Sequence, residues 1–238
     1  MTILHLYYDL CNLYGESGNV LAMKNYLEQL GIETIIKFAT IQDAINFDNV
    51  DIVYIGSSTE ENQLMVLNHL KKYQKEIKDY INHNGFVLAT GNAIELFGKT
   101  IDNEKAINLF GYDCKTVPFR LVDEALFQNQ NNFILGFTNC NRVLKHKTES
   151  SLFKVIKGIG DEPNKEEEGV KFKNFYGTYL IGPLLVRNPY FLSEFMDKAI
   201  LSKYHDFNIK SVNLDLEKKA YHEFMKNYYS EYMEKVVE

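Results

Sequence analysis

Apolar and polar positions along the first hundred residues alternate between two periods, one near two and one near 3.6. Ile3 to Tyr8 predicts a strand that runs into a loop over 9–18. Val20, Leu21, Leu27 and Leu30 then space out a helix, with Gly31 placed to end it in a left-handed turn. Ile32 to Phe38, rich in Ile and Thr, predicts a second strand, and Asp51 to Ile55 a buried third that breaks at Gly56-Ser57-Ser58. Leu64, Leu67, Leu70, Tyr73, Ile77 and Ile81 form the single apolar stripe of a long helix, which ends around Asn84-Gly85. Phe86 to Thr90 is a further compact strand, and Ala93 to Phe97 opens another helix.

Such alternation predicts an α/β fold, a doubly wound, mostly parallel sheet flanked by helices with right-handed crossovers. Ligands on sheets of this kind sit at the carboxyl ends of the strands, which groups the loops 9–18, 56–63 and 90–93 on one rim. From about 115 to 160 the segments are shorter and more strand-like, and Asp161 to Gly169 reads as a charged surface loop. The tail carries Leu216, Tyr221, Phe224, Met225, Tyr228 and Tyr232 at helical spacing, a stripe for packing or for a partner. With no repeat and no linker, residues 1–238 are expected to form a single domain with 205–238 as a C-terminal helical extension.

Composition narrows the function classes. A net charge of -6 over 238 residues argues against nucleic acid as a partner, which calls for a basic face. No run approaches the ~18 apolar residues of a membrane span, so no membrane insertion is expected. Cys11, Cys114 and Cys140 have neither CxxC nor CxxH spacing, and an odd, low count fits the reducing cytoplasm. The six histidines make no HxH or HExxH pattern, and GxxxxGK[ST] and GxGxxG are missing. Neither a metal nor a cofactor is expected. Asp9, Glu16, Glu60 and Glu61 lie near the predicted rim without metal-like spacing, and Glu60 and Glu61 suit a helix start.

Two segments carry more information: Leu6 to Asn19 (LYYDLCNLYGESGN) and Asn174 to Pro189 (NFYGTYLIGPLLVRNP). Together they resemble the glutaminase subunit of lipid II isoglutaminyl synthase, within the amidotransferase family shared with cobyric acid synthase (CobB/CobQ-like). Members open with an LYPDLxNxYGDxGN-like segment and close with a GTYLHGPLLPxNP-like one. Between them, Gly56 to Gln63 (GSSTEENQ) resembles a GGGQDxEQ-like loop, Arg120-Leu121-Val122 an RxxGD-like element, and Gly136 to Cys140 (GFTNC) a GFENH-like one. The resemblance runs from about residue 3 to about 195. It implies a class I glutamine amidotransferase-like, flavodoxin-like fold and glutamine amide hydrolysis, in which a cysteine thiolate attacks and a histidine moves the proton.

At both positions this sequence departs from the pattern. Aligning Ala89 to Gly98 (ATGNAIELFG) with the family's GxCGGxQxxG places Gly91 where the nucleophile stands, and Ile181 takes the place of the histidine. Neither can perform the chemistry, so the expected role is that of a non-catalytic binding or scaffold subunit. Glycine adopts the strained elbow conformation without a Cβ penalty, so the substitution also favours stability. Gly56, Ser57, Ser58 and Asn92 are candidates for a surviving anion-binding nest of backbone amides. Arg120 is a candidate carboxylate clamp, against the alternative of a surface ion pair. Cys140, with His146 six residues on, is the candidate for a relocated nucleophile, against that of an idle buried thiol. The resemblance also implies a Mur-ligase-like protein partner in an amidating complex. The alternatives are an active amidotransferase with a relocated nucleophile or partner-donated residues, and a sensor of a small amino acid or carboxylate.

Overall fold

The computed structural model describes residues 1–130 and 132–233. The chain begins with β1 (Thr2–Leu6), α1 (Ser17–Gln29), β2 (Ile35–Ala39), β3 (Ile52–Ile55), α2 (Glu60–Leu70), α3 (Gln74–Asn82) and β4 (Phe86–Thr90). A 3₁₀ turn over Gly91–Phe97 leads to the short β5 (Thr100–Ile101) and β6 (Glu104–Lys105), then to the long β7 (Asp113–Asn129) and β8 (Asn132–Lys145). The strands β9 (Phe153–Lys157), β10 (Glu167–Glu168), β11 (Val170–Phe172), β12 (Phe175–Thr178) and β13 (Leu180–Ile181) follow. Four helices close the described chain: α4 (Leu184–Arg187), α5 (Pro189–Lys203), α6 (Asp215–Tyr228) and α7 (Ser230–Met233).

The first sheet has the order β11-β12-β4-β3-β1-β2, parallel throughout except for the edge strand β11. Its strands are buried on both faces, and their alternation sorts side chains between two cores. Val53, Ile55, Val87 and Ala89 face α2 and α3 with Leu67, Leu70, Ile77 and Ile81. Ile52, Tyr54, Phe86 and Leu88 face α1 and α5 with Met23, Leu27, Phe191 and Phe195. The second sheet is mostly antiparallel and is built on the β7–β8 hairpin, with β9 and β5 alongside β7, β10 beyond β9 and β6 beyond β5. Strand β13 joins the two: it follows β12 directly but pairs with β8, Leu180 opposite Thr138 and Ile181 opposite Phe137. Residue 181 is thereby fixed at the carboxyl end of the parallel sheet. Among the described residues no helix is long and apolar enough to cross a membrane.

Several expectations shift. The single stripe from Leu64 to Ile81 is two helices separated by a 3₁₀ turn at Lys71–Tyr73, and Leu64 is 40% exposed. The second strand starts at Ile35 rather than Ile32, because Gly31 (φ +73°) turns the chain after α1 and Ile35 N bonds Met1 O. The region read as short segments contains strands of 17 and 14 residues. In the tail, Tyr221 and Met225 pack on Leu126 and Leu135, whereas Leu216 and Tyr228 stay exposed. The last five residues of the expected extension, 234–238, lie outside the described chain.

The loop Asp161 to Gly169 is the clearest correction, since its two end acids are interior. Asp161 pairs with buried Lys147 and accepts from Gly169 N at 2.8 Å. Glu168 accepts from Tyr179 N at 2.7 Å and from Thr178 Oγ1 at 2.9 Å. Burial pushes Asp161 up to about 6 and Glu168 up to about 8, against the pull of Lys147 and these donors. Composition marks such a run as solvated; tertiary donors at Lys147, Thr178 and Tyr179 reverse that for its ends.

His5 on β1 is fully buried against Phe38, Tyr54 and Tyr8, and neither ring nitrogen has a hydrogen-bond partner among the described residues. Burial lowers its pKa to about 4. The unfolded chain takes up this proton near pH 6.5 and the folded chain only near 4, so stability falls as pH drops through that window. The loss should reach about 3 kcal/mol by pH 4, and none of it is present above pH 6.5. Urea unfolding of the wild type and of His5→Phe at pH 7.5, 5.5 and 4.5 checks this. The stability difference should move in favour of His5→Phe as pH falls; a constant difference would refute it.

Candidate functional site

The site is built where β4 ends. Gly91 has φ +60° at the strand-to-3₁₀ junction, a backbone region closed to most L-residues. A Cβ added there would lie 2.5 Å from Ser57 Cβ, 2.6 Å from Ser57 Oγ and 2.8 Å from Ile181 Cγ2. The two substituted positions, 90 residues apart in the chain, are therefore in direct proximity. Glycine supplies no reacting group, isoleucine supplies only a branched alkyl, and Ile181 is 1% exposed.

The layer beneath this elbow is polar. Glu16, fully buried in the loop after β1, accepts from Tyr54 OH at 2.5 Å and from Thr90 Oγ1 through one oxygen. Its other oxygen accepts from Gly182 N at 3.3 Å, next to Ile181. Asn19 donates to Tyr54 OH at 2.8 Å and accepts from Leu185 N at 2.7 Å. Thr90 thus points away from the pocket side, as strand alternation requires. Gly56 must lack a side chain, because a Cβ would meet Cys11 O at 2.4 Å and Glu16 Cβ at 2.7 Å.

The candidate nest is occupied from within. Asn92 Oδ1 accepts from Ser58 N at 2.9 Å, and Asn92 Nδ2 donates to Ser58 O at 2.9 Å. Ser57 Oγ lies 3.5 Å from the same Asn92 oxygen. The carboxamide of Asn92 thus engages the Ser58 amide, one of the candidate nest donors. Arg120 stands at the outer rim, donating to Asn139 Oδ1 at 2.5 Å and to Glu60 Oε1 at 3.0 Å, with both members of the ion pair more than a third exposed. Glu60 opens α2 behind the Thr59 cap, which accepts from Asn62 N. Arg120 thus makes the surface pair, and Asn139 ties it to Tyr14 OH at 2.9 Å.

Cys140 lies inside. Its thiol is 7% exposed and donates to Arg142 O at 3.4 Å. Burial pushes it up to about 12, and Glu95 and Glu168 add to the effect. His146 contacts Asp113 at 3.2 Å and is largely exposed, so the structure joins it to a carboxylate at the outer end of the hairpin. Cys11 is likewise buried and pushed up to about 12. A thiol held far above neutral pH is a poor nucleophile.

Sequence reasoning passed over the network that supports the 3₁₀ turn. Arg142 Nη1 donates to Glu95 Oε2 and to Gln63 Oε1, both at 3.0 Å, and its Nε donates to Asp102 Oδ2 at 2.9 Å. Gln63 Nε2 donates to Glu95 Oε2 at 2.8 Å and to Asn92 O at 2.7 Å, and Tyr179 OH to Glu95 Oε1 at 3.1 Å. Burial pushes Glu95 up against the pull of Arg142, yet every neighbour on its two oxygens is a donor, the pattern of a carboxylate. The signal was present in β8, where alternate residues Thr138, Cys140 and Arg142 face inward. Two outcomes follow. Gly91→Ala should lose about 2–4 kcal/mol in urea unfolding, from positive φ plus the clash with Ser57 and Ile181. Gly31→Ala, with similar φ and no atom within 4 Å, should lose only about 1 kcal/mol. Equal losses would remove the steric explanation. Arg142→Leu strands Glu95 and should cost about 3–5 kcal/mol on the same measurement, with an unchanged midpoint counting against it.

The chain is similar to known proteins in both sequence and fold. The chain is 27% identical over 213 residues to the lipid II isoglutaminyl synthase (glutamine-hydrolyzing) subunit GatD of Streptococcus pneumoniae, covering 86% of this chain and 82% of that protein. It is 26% identical over 226 residues to the subunit of the same name from Staphylococcus aureus, covering 92% and 93%. Two solved glutamine amidotransferases share the fold. One, from Thermotoga maritima, has a TM-score of 0.51 at 11% identity over 87% of this chain and 86% of that one. The other has a TM-score of 0.54 at 13% identity over 82% and 98%. The model of the CobB/CobQ-like glutamine amidotransferase domain matches residues 2–189, most of the chain, and to that family the chain belongs.

Proposed function

We propose that this chain is a non-catalytic member of its family, a scaffold or binding subunit of an amidating complex. One observation carries the proposal: Gly91 and Ile181 meet at the elbow, and the space a side chain at 91 would need is filled by Ser57 and Ile181. Cysteine-dependent amide hydrolysis requires a thiolate there, a base beside it and free amides for the oxyanion. Here the first two are glycine and isoleucine, and the Ser58 amide is engaged by Asn92. The scaffold beneath the elbow, by contrast, is complete: Glu16, Tyr54, Thr90 and Asn19 are mutually bonded.

The relatives named above are subunits of a lipid II isoglutaminyl synthase, which supports a partner of the Mur-ligase-like type. Three free, buried cysteines suit work in the cytoplasm. The chain acts as one amidotransferase-like domain whose C-terminal helices are clamped on the β7–β8 hairpin through Tyr221, Met225 and Tyr229.

Ammonia or glutamate release from glutamine tests the proposal, using the purified chain alone and with a Mur-ligase-like protein from the same cell. Neither setting should release ammonia above background, while the two proteins should co-elute in size-exclusion chromatography. Release that Cys140→Ser abolishes would overturn the proposal and make residue 140 the nucleophile. Release unaffected by that change would also overturn it, and, if seen only in the partner's presence, would do so in favour of partner-donated residues.

A further inference from the structure

The two edges of the parallel sheet differ. Beyond β11 an isolated bridge joins Lys171 to Ser150, whereas β2 pairs with β1 alone among the described strands. Ile35 N donates to Met1 O, Ala39 O accepts from Tyr7 N, and Glu33 O accepts from Met1 N. Residues 33, 35, 37 and 39 therefore turn backbone groups toward β1. By alternation Thr34, Ile36 and Phe38 turn theirs outward, a row of unpaired donors and acceptors. Apolar side chains flank this open edge: Ile35 is 52% exposed on one face, and Phe38 is 56% exposed on the other, packed edge-on against Tyr8. A hollow of about 420 Å³ beside the strand is lined by Glu33, Ile35, Tyr204 and Phe207 among others. Glu33 and Lys37 are exposed on the same face as Ile35, and neither makes an ion pair among the described residues.

We propose that β2 is a dimerisation edge whose occupant is a second copy of this chain, paired antiparallel about a two-fold axis through Ile35. In that register Thr34 of one copy exchanges backbone bonds with Ile36 of the other on both sides of the axis. Ile35 meets its own copy at the mouth of the hollow, and Glu33 stands opposite Lys37 on both sides. The edge is thus self-complementary in hydrogen bonds, apolar contact and charge, as an isologous interface requires. Charge selects the register. An axis through Ile36 would set Lys37 opposite Ile35 and Glu33 opposite Ala39, and an axis through Lys37 would bring two ammonium groups together. On the other face Phe38 lies diagonally across from Thr34 of the second copy. The pairing makes one continuous sheet of two, and β1 and β3 separate the new contact from β4 and the elbow.

Sedimentation velocity of the full chain over a micromolar to millimolar series tests this, with circular dichroism confirming that each variant is folded. The wild type should show a reversible monomer–dimer equilibrium. Lys37→Glu sets like charges opposite each other on both sides of the axis and should weaken the dimer at least several-fold. Adding Glu33→Lys to it should restore the wild-type affinity. Ile35→Cys should give a disulfide-linked dimer on mild oxidation, because partners in a non-hydrogen-bonded antiparallel pair have Cα atoms about 4.5 Å apart. Leu216→Cys, at a 76% exposed position on α6, should not, and the three native cysteines are buried. A wild type that stays monomeric throughout, or a Lys37→Glu variant that dimerises as the wild type does, would overturn the proposal. So would a double variant no tighter than Lys37→Glu, or equal cross-linking of the two cysteine variants.

Discussion

A guanidinium held in the interior fixes the relation between the two sheets. Arg142 belongs to β8 of the antiparallel sheet, yet its bonds go to Glu95 after the elbow, Gln63 on α2 and Asp102 beside β5. Burial works against the charge on Arg142, and Glu95 and Asp102 more than offset it, holding the group above its ordinary value. A buried pair of this kind adds little net stability over an apolar core, but it tolerates few alternative arrangements, because each misplaced partner leaves a charge uncompensated. The elbow, the long hairpin and the first turn of α2 are thereby locked in one geometry.

The second constraint lies on the other side of the elbow. Glu16 gathers Tyr54 from β3, Thr90 from β4 and Gly182 after β13 around one carboxylate. Strand β13 is thus held from below by Glu16 and laterally by β8, which places Ile181 over Gly91. A fold can lose its reacting groups and keep this frame, since the bonds that build the frame do not pass through the reacting side chains. The apolar contact of Ile181 adds burial where a histidine would demand a hydrogen-bonding partner.

Much of the frame was legible. The strands β1, β3 and β4 appear as short apolar runs because they are buried on both faces, and the helix stop at Gly31 has its left-handed φ. Gly91 was placed by counting back from Gly98 along the segment Ala89 to Gly98, and it stands at the end of β4 with a positive φ. Cys140 and Arg120 were harder. A lone thiol or guanidinium gives no sign of which way it points, and β8 turns Cys140 inward while β7 leaves Arg120 on Glu60 at the rim.

The sequence by itself indicated the alternation of strands and helices as far as β4, the parallel sheet, and which residues stand at positions 91 and 181, since periodicity and side-chain chemistry are local properties. Only the tertiary structure decided that Gly91 has no room for a side chain, that Asn92 occupies the Ser58 amide, and that Asp161 and Glu168 are interior. Each of these depends on what another segment brings within 3 Å, from 34 residues away in the case of Asn92 and Ser58 and 90 in that of Gly91 and Ile181. Burial and occupancy are properties of packing, and packing is set by contacts that no stretch of chain contains alone.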